Sequence, residues 1–562
     1  MRSLLTRSPA DLPRTLGELL ARRFDLFGLL VGLNLFWASL TPSLMPRVWY
    51  WQGLISGILV IIGYGAGVLL GRILRAFVRW RPSRRTGHWI GWTLLTAVLA
   101  ANLYWLVVHV IWQASVYPVS GFAEPDDGLG AVTLRTVLMV FMTVAVAWTI
   151  LSLLRLLAHA VVVLHRFLLD RRVIRRLPPL AAQVVTVTVI ALVGVLLVDT
   201  GVRPVAAGLM DGFYTAQNER DSGFTQPDDP LRSGSDASLV SWDSLGWPGQ
   251  TFVSGGPDID EIQRYNPGRP AKDPIRVYVG RRFSTNIPEQ ARIAVKELER
   301  TDAFDRAALQ VVVVTGTGWV DTKSARPLEY LYDGDIATVS MQYSYLPSAL
   351  SFLFDRDRVA QTARALVTAV HDAAIAHEQA TGHRPRLYLY AQSLGAYGTE
   401  QAFPDLDELT DQMDAVLFAG TPGISPLHTE LTARREQEQC LVDGGRSVLF
   451  VERPDDVTGC TDTPRLVYLQ NPSDPVVKWQ RSLLWRQPDW IAAEQARGLL
   501  TPYFAWTPGV TWLQVTLDML ISQWAPATYG HNYGSSAVPV WERLTGIDWD
   551  NARTQELMDT VE

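Results

Sequence analysis

Three residues far apart in the chain combine into the chemistry of an activated nucleophile. Ser393 sits in Ala391-Gln-Ser-Leu-Gly395, after a short apolar run and before a helical pattern. A serine on a sharp strand-to-helix turn exposes its hydroxyl, and such a turn tolerates only small neighbours. Glycine usually opens this turn. Here Ala391 stands in that place, Gln392 precedes the serine and Gly395 closes the turn. The competing reading is a turn serine that caps a helix. Asp474 follows in Gln470-Asn-Pro-Ser-Asp-Pro475, just beyond another apolar run. A carboxylate there can hold a histidine in one tautomer and stabilise its imidazolium form. Alone it reads equally as a turn aspartate before proline. His531 comes last, in the glycine-flanked loop Tyr529-Gly-His-Asn-Tyr-Gly534, where a general base has access. The order Ser, Asp, His differs from the chymotrypsin and subtilisin orders.

An acyl-transfer nucleophile also needs backbone N–H donors for the oxyanion. The residue after the nucleophile, Leu394, is one expected donor. The loop Thr315-Gly-Thr-Gly-Trp319 offers the other, with Gly316 and Thr317 as candidates and Gly318 beside them. A phosphate loop would need Gly-Lys-Ser/Thr next, and none follows.

These residues need a parallel sheet to carry them. From residue 275 onward, short apolar runs alternate with amphipathic helical patterns. Strands are expected at 275–279, 310–314, 336–342, 387–390, 415–418 and 466–469, and helices at 288–300 and 358–381. That alternation predicts a mostly parallel sheet with helices on both faces, whose sites lie at the C-terminal strand ends. Residues 200–274 are rich in Gly, Pro, Asp and Ser and read as a linker, with short strands at 238–242 and 251–253 opening the next domain. Between Asp474 and His531, residues 478–528 form an aromatic-rich insert that reads as a cap over the site or as ordinary core.

The first 199 residues differ in kind. Five stretches, 26–44, 51–70, 89–112, 136–154 and 180–198, are apolar and free of Lys, Arg, Asp and Glu. Each approaches the roughly 20 residues that cross a bilayer core. Residues 156–169 read as an interfacial helix continuing the fourth. Arginines cluster before the first stretch (Arg2, Arg7, Arg14, Arg22, Arg23), between the second and third (Arg72, Arg75, Arg79, Arg81, Arg84, Arg85) and between the fourth and fifth. Positive charge stays on the cytoplasmic side, which places the N-terminus inside and the residues after 198 outside. Cys440 and Cys460 are the only cysteines and fall in that outer part, where a disulfide is expected. The net charge of −6 averages a basic membrane part and an acidic soluble part. An acidic soluble part lacks the Lys and Arg clusters that phosphate backbones require, so nucleic acid is not an expected partner. Nothing in the sequence calls for a metal or organic cofactor, and nothing fixes an oligomeric state.

Several longer phrases go beyond these patterns: Thr41-Pro-Ser-Leu-Met-Pro-Arg47, Pro274-Ile-Arg-Val-Tyr-Val-Gly280, Glu297-Leu-Glu-Arg-Thr-Asp-Ala-Phe-Asp-Arg306 and Met341-Gln-Tyr-Ser-Tyr-Leu-Pro-Ser348. With the turn at Ser393, whose family form is more often Gly-Glu-Ser-Leu-Gly, they resemble a bacterial, mostly actinobacterial, family of membrane-anchored hydrolases, alpha/beta-hydrolase family 9. The resemblance implies a multi-span helical domain at 1–199 and an α/β-hydrolase domain at 275–562. It implies no substrate. The expectation is a serine hydrolase of carboxylic esters, esterase- or lipase-like, at the outer face of the cytoplasmic membrane. Its partners are the lipid bilayer and a lipid or acyl-ester substrate. The alternatives are a transporter or scaffold carrying a relic hydrolase fold, and a peptidase or thioesterase using the same three residues.

Overall fold

A computed structural model describes residues 24–77, 84–169, 203–435 and 438–562, with scattered positions between 188 and 201. The chain forms two compact units. One joins residues 1–195 to 481–520. The other joins 196–480 to 521–562. The aromatic insert expected at 478–528 as part of the catalytic domain thus has most of its length in the unit of N-terminal helices.

In that first unit, helix α1 (Leu26–Ser39) is followed by α2 (Trp49–Phe77), α3 (Arg84–Ala114) and α4 (Leu129–Leu169). Among the described residues, three helical stretches are long and apolar enough to cross a membrane: Trp49–Phe77, Trp92–Ser120 and Leu129–His159. The expected first span at 26–44 is shorter than predicted. Its helix has 14 residues, about 21 Å at 1.5 Å per residue, against a hydrocarbon core of about 30 Å. The helix ends at Ser39, and the following turn and loop carry Pro42 and Pro46, whose missing N–H groups cannot continue it. Residues 156–169 continue α4 without a break. The fifth expected span, 180–198, falls largely outside the described residues.

Small residues let these helices approach closely. A Cβ on Gly63 would lie 2.9 Å from the Gly32 Cα, and one on Gly67 would lie 2.8 Å from the Gly28 Cα. Both α1 and α2 therefore present glycines four residues apart along one seam, a spacing that allows tight helix packing in lipid. On its other side α2 uses Gly53 and Gly57 against Met142 and Val146 of α4.

The second unit holds an eight-stranded sheet: β1 (Ile275–Val279), β2 (Ala308–Val313), β3 (Ile336–Met341), β4 (Arg386–Gln392), β5 (Ala415–Ala419), β6 (Cys440–Asp443), β7 (Arg446–Val451) and β8 (Leu466–Leu469). Their spatial order is β1-β3-β2-β4-β5-β8-β7-β6. All neighbours are parallel except the β6–β7 hairpin. The middle strands are buried along their whole length, so their sequences read as apolar runs rather than alternations. Helices cross between strands, including α5 (Ile287–Arg300), whose N-cap Asn286 accepts the Glu289 N–H, and α6 (Arg356–Thr381). Cys440 and Cys460 are joined by a disulfide, with Cα atoms 5.1 Å apart.

Residues 203–274 are more ordered than a linker. They contain helices Arg203–Asn218, Trp242–Ser254 and Ile259–Tyr265. The strand expected at 251–253 lies inside the second of these helices. The one expected at 238–242 contributes only an isolated bridge from Ser241 to Gly234. Leu231 and Ser233 hydrogen-bond the backbone of Arg276, extending the edge of β1. Arg276 then reaches Glu329 through a buried ion pair at 2.7 Å. The turn-rich composition of this stretch reflects short helices and their caps.

Candidate active site

The turn at Ser393 follows directly from its neighbours. Strand β4 runs between β2 and β5, with Ala391 opposite Val313 and Phe418, and Gln392 opposite Ala419. The Ser393 N–H continues this ladder by donating to Ala419 O at 2.9 Å, while its C=O accepts the Tyr397 N–H at 3.0 Å and starts helix α7 (Leu394–Ala402). Serving as both the last strand residue and the helix cap forces the serine to φ 55°, ψ −119°. A non-glycine residue there is strained and persists only where its surroundings over-determine it. Gly395 is required by space. A Cβ would lie 2.3 Å from Val313 O, so α7 can close on β2 only without one. Ala391 is buried in the sheet and meets the usual need for a small residue.

Asp474 lies beyond the end of β8 and caps the short helix Pro475–Lys478, with Oδ1 accepting the Val476 N–H at 2.8 Å. Its other oxygen accepts twice, from His531 Nδ1 at 2.7 Å and from the Tyr533 hydroxyl at 2.6 Å. The carboxylate is fully buried, while 13 % of the His531 side chain remains exposed. An ionised carboxylate can only accept, so Nδ1 carries the proton and the neutral ring presents Nε2 as a base. Burial and Asp474 together push the Tyr533 hydroxyl well above its ordinary pKa, which keeps it a donor.

The His531 loop is anchored from several directions. Its N–H donates to Ser522 O at 3.0 Å. The Gly530 N–H donates to Ser473 Oγ at 2.9 Å, and Asn471 Nδ2 donates to Gly530 O at 3.0 Å. Gly420, at φ +60°, leaves room for the ring, since a Cβ there would fall 2.7 Å from His531 Cε1. Ala419 receives the Ser393 N–H and Gly420 lies against the imidazole, so the serine turn and the histidine meet at the C-terminal end of β5. Among the described residues Ser393 Oγ has no hydrogen-bond partner. Such bonds often tighten only when substrate binds.

The two loop donors differ. The Gly316 N–H points to Ser348 Oγ at 3.3 Å, and the residue packs against the backbone of Leu346 and Ser348. The Thr317 N–H has no acceptor among the described residues. The loop is closed by the Gly318 N–H on Thr315 O at 3.0 Å, and Gln342 Nε2 holds Thr317 O at 2.8 Å. On the other side, the Leu394 N–H opens α7, where first-turn amides have no intrahelical acceptor.

Behind the serine turn, Glu400 of α7 is buried and accepts from the Tyr468 hydroxyl and the His428 N–H, both at 3.0 Å. Burial pushes its carboxyl up to about 8 and pushes His428 down to about 4, so both are neutral near pH 7. Among the described residues no three His, Cys, Asp or Glu side chains group as a metal set.

A strained serine at the end of a central parallel strand, with an Asp–His pair on later loops, fits the nucleophile turn and triad order of α/β-hydrolases. The alpha/beta-hydrolase family model matches residues 275–557, and the model of that family's N-terminus matches residues 40–257. The chain belongs to the alpha/beta-hydrolase family. No curated protein and no solved structure matches it. Membership supports a hydrolase-type function, and the N-terminal match ties the apolar helices to this family.

Sequence reasoning missed Tyr533, Asn471, Ser473 and Gly420. Two of these lie inside the phrase that led to Asp474, and Tyr533 lies in the phrase that led to His531. Polar residues crowded beside a candidate triad member were the available signal.

Proposed function

We propose that the protein is a membrane-bound serine hydrolase of carboxylic esters. Ser393 Oγ attacks the acyl carbon as its proton passes to His531 Nε2. The oxyanion is held by the N–H groups of Leu394 and Thr317. His531 then protonates the leaving alcohol, and the acyl-enzyme is resolved by water, or by another alcohol if the reaction is a transfer. Asp474 holds His531 in the reactive tautomer throughout. The observation that carries this reading is the 2.7 Å bond between buried Asp474 and His531, at the sheet end where Ser393 is strained.

The membrane-crossing helices in the same chain favour a lipid or lipid-linked ester as substrate. The arginine distribution and the Cys440–Cys460 disulfide favour the outer face of the cytoplasmic membrane. A membrane-impermeant fluorophosphonate applied to intact cells tests both parts. Labelling of the wild type that disappears in Ser393→Ala is the expected result. Labelling only after the cells are opened would reverse the orientation. No labelling of folded wild type in either case would remove the serine-hydrolase reading.

A further inference from the structure

The phrase Thr41-Pro-Ser-Leu-Met-Pro-Arg47 plays no part in the chemistry above, yet its residues Thr41, Leu44 and Arg47 are hydrogen-bonded to residues 514–518 of the insert. Asp518 ends helix α8 (Val510–Asp518), inside the insert that separates Asp474 from His531. Its Oδ1 accepts Arg47 Nε at 3.1 Å and its Oδ2 accepts the Leu44 N–H at 3.2 Å, with both side chains out of solvent. Gln514, one turn earlier, donates to Ser39 O at 3.2 Å and Thr41 O at 3.0 Å. The break between α1 and α2 is thus a socket. Carbonyls freed where α1 stops are capped by an insert glutamine, and the arginine that closes the socket is neutralised by an insert aspartate. An ion pair removed from water costs more to break than it contributes while intact, so α8 has one favoured seat.

The insert's chain ends return to the catalytic residues. Asp474 precedes it. Just after Asp518 comes Ser522, whose carbonyl receives the His531 N–H at 3.0 Å, and then Ala525, whose carbonyl receives Asn532 Nδ2 at 3.0 Å. We infer that Arg47 and Asp518 are positioning residues for His531: docking of α8 into the Thr41–Arg47 socket fixes the start of the chain that runs on through Ser522 and Ala525 to the histidine loop. The inference rests on the assignment of His531 as the base.

The test uses the full-length protein in detergent with two readouts, hydrogen exchange of the peptide spanning 521–533 and the rate of fluorophosphonate labelling. In Asp518→Asn and Arg47→Gln, exchange of that peptide should rise tenfold or more and labelling should slow tenfold or more. The peptide around Ser393 should keep its wild-type protection. Arg47→Lys, which keeps the charge, should restore most of the labelling rate. Unchanged exchange at 521–533, or an equal rise around Ser393, would overturn the inference, because the pair would then be inert or merely structural. If the ion-pair variants fail to accumulate, Gln514→Leu decides on the same readouts. A wild type that never labels, with loop exchange still dependent on Asp518, would keep the coupling and dismiss the serine-hydrolase reading instead.

Discussion

Ser393 is held by a strand ladder and a helix start, and His531 mainly by side chains of separate segments. The serine is the next rung of a parallel ladder and the cap of a helix, with Gly395 pressed against Val313 O. The histidine sits on a loop with little regular structure, and its place depends on Asp474, Tyr533, Asn471, Ser473 and Ser522, drawn from separate segments. A nucleophile must reach the same point in every turnover, and a strained turn between strand and helix gives it little alternative. A base must swing between nucleophile and leaving group, so a loop held by replaceable bonds suits it.

If this division is right, damage to the Asp474–His531 pair should cost activity with little loss of stability, while damage on the serine side should cost both. Asp474→Asn should give the largest loss, about 10⁴-fold in labelling rate, because an amide no longer enforces the Nδ1–H tautomer. Its unfolding temperature should fall only slightly, since the amide oxygen keeps the Val476 N–H while the nitrogen takes the place facing His531 and Tyr533. A loss below about tenfold would mean that Asp474 does not orient the base. Gly395→Ala comes next. The added methyl overlaps Val313 O and must push α7 away, so labelling should slow about 10²-fold and stability should fall by about 1–3 kcal/mol. Labelling at the wild-type rate in a stable Gly395→Ala protein would show that the turn is not held by this packing.

Tyr533→Phe should be milder. It removes one bond to Asp474 and leaves the Asn471 N–H, which donates to Tyr533 at 3.2 Å, without its partner. An unpaired buried donor costs about 1–3 kcal/mol, so a roughly tenfold slower labelling rate and a small drop in unfolding temperature are expected. Equal labelling rates in Tyr533→Phe and wild type would show that the ring, not the hydroxyl, is what the loop needs.

The same division explains what was legible in the sequence. Strands β1 to β5 and β8 and the Ser393 turn follow from local apolar runs bounded by small residues. The first span was over-read because hydropathy continues past the prolines that end the helix. The β6–β7 hairpin was missed although β7 carries the buried run Val448–Val451, because its partner β6 is a short, half-exposed edge strand with only Leu441 and Val442 beside Cys440. The insert was misassigned for a deeper reason. Its seat depends on Arg47 and Asp518, which meet across nearly the whole chain, and no local pattern records such a pairing. Tyr533 and Asn471 escaped likewise, since their role is a partner set and not a periodicity.

Glu400 should have the smallest effect on labelling, and it separates the two sides by pH. It lies on α7, bonded to Tyr468 and His428, and makes no bond to the histidine loop. With the unfolded carboxyl near its ordinary 4.5 and the folded one at about 8, the native state holds the extra proton between those values. Stability from this group is therefore full below about pH 4.5 and is lost as pH rises toward 8, at up to about 1.4 kcal/mol per pH unit. Glu400→Gln cannot ionise and keeps one acceptor for the Tyr468 hydroxyl. Its unfolding temperature should match or fall slightly below wild type at about pH 5 and exceed it at about pH 9. Parallel stability profiles for the two proteins would mean that Glu400 is already charged near pH 7. A crossing of the profiles, with the Asp474→Asn defect unchanged at both pH values, would place the titration behind the nucleophile and leave the histidine loop outside it.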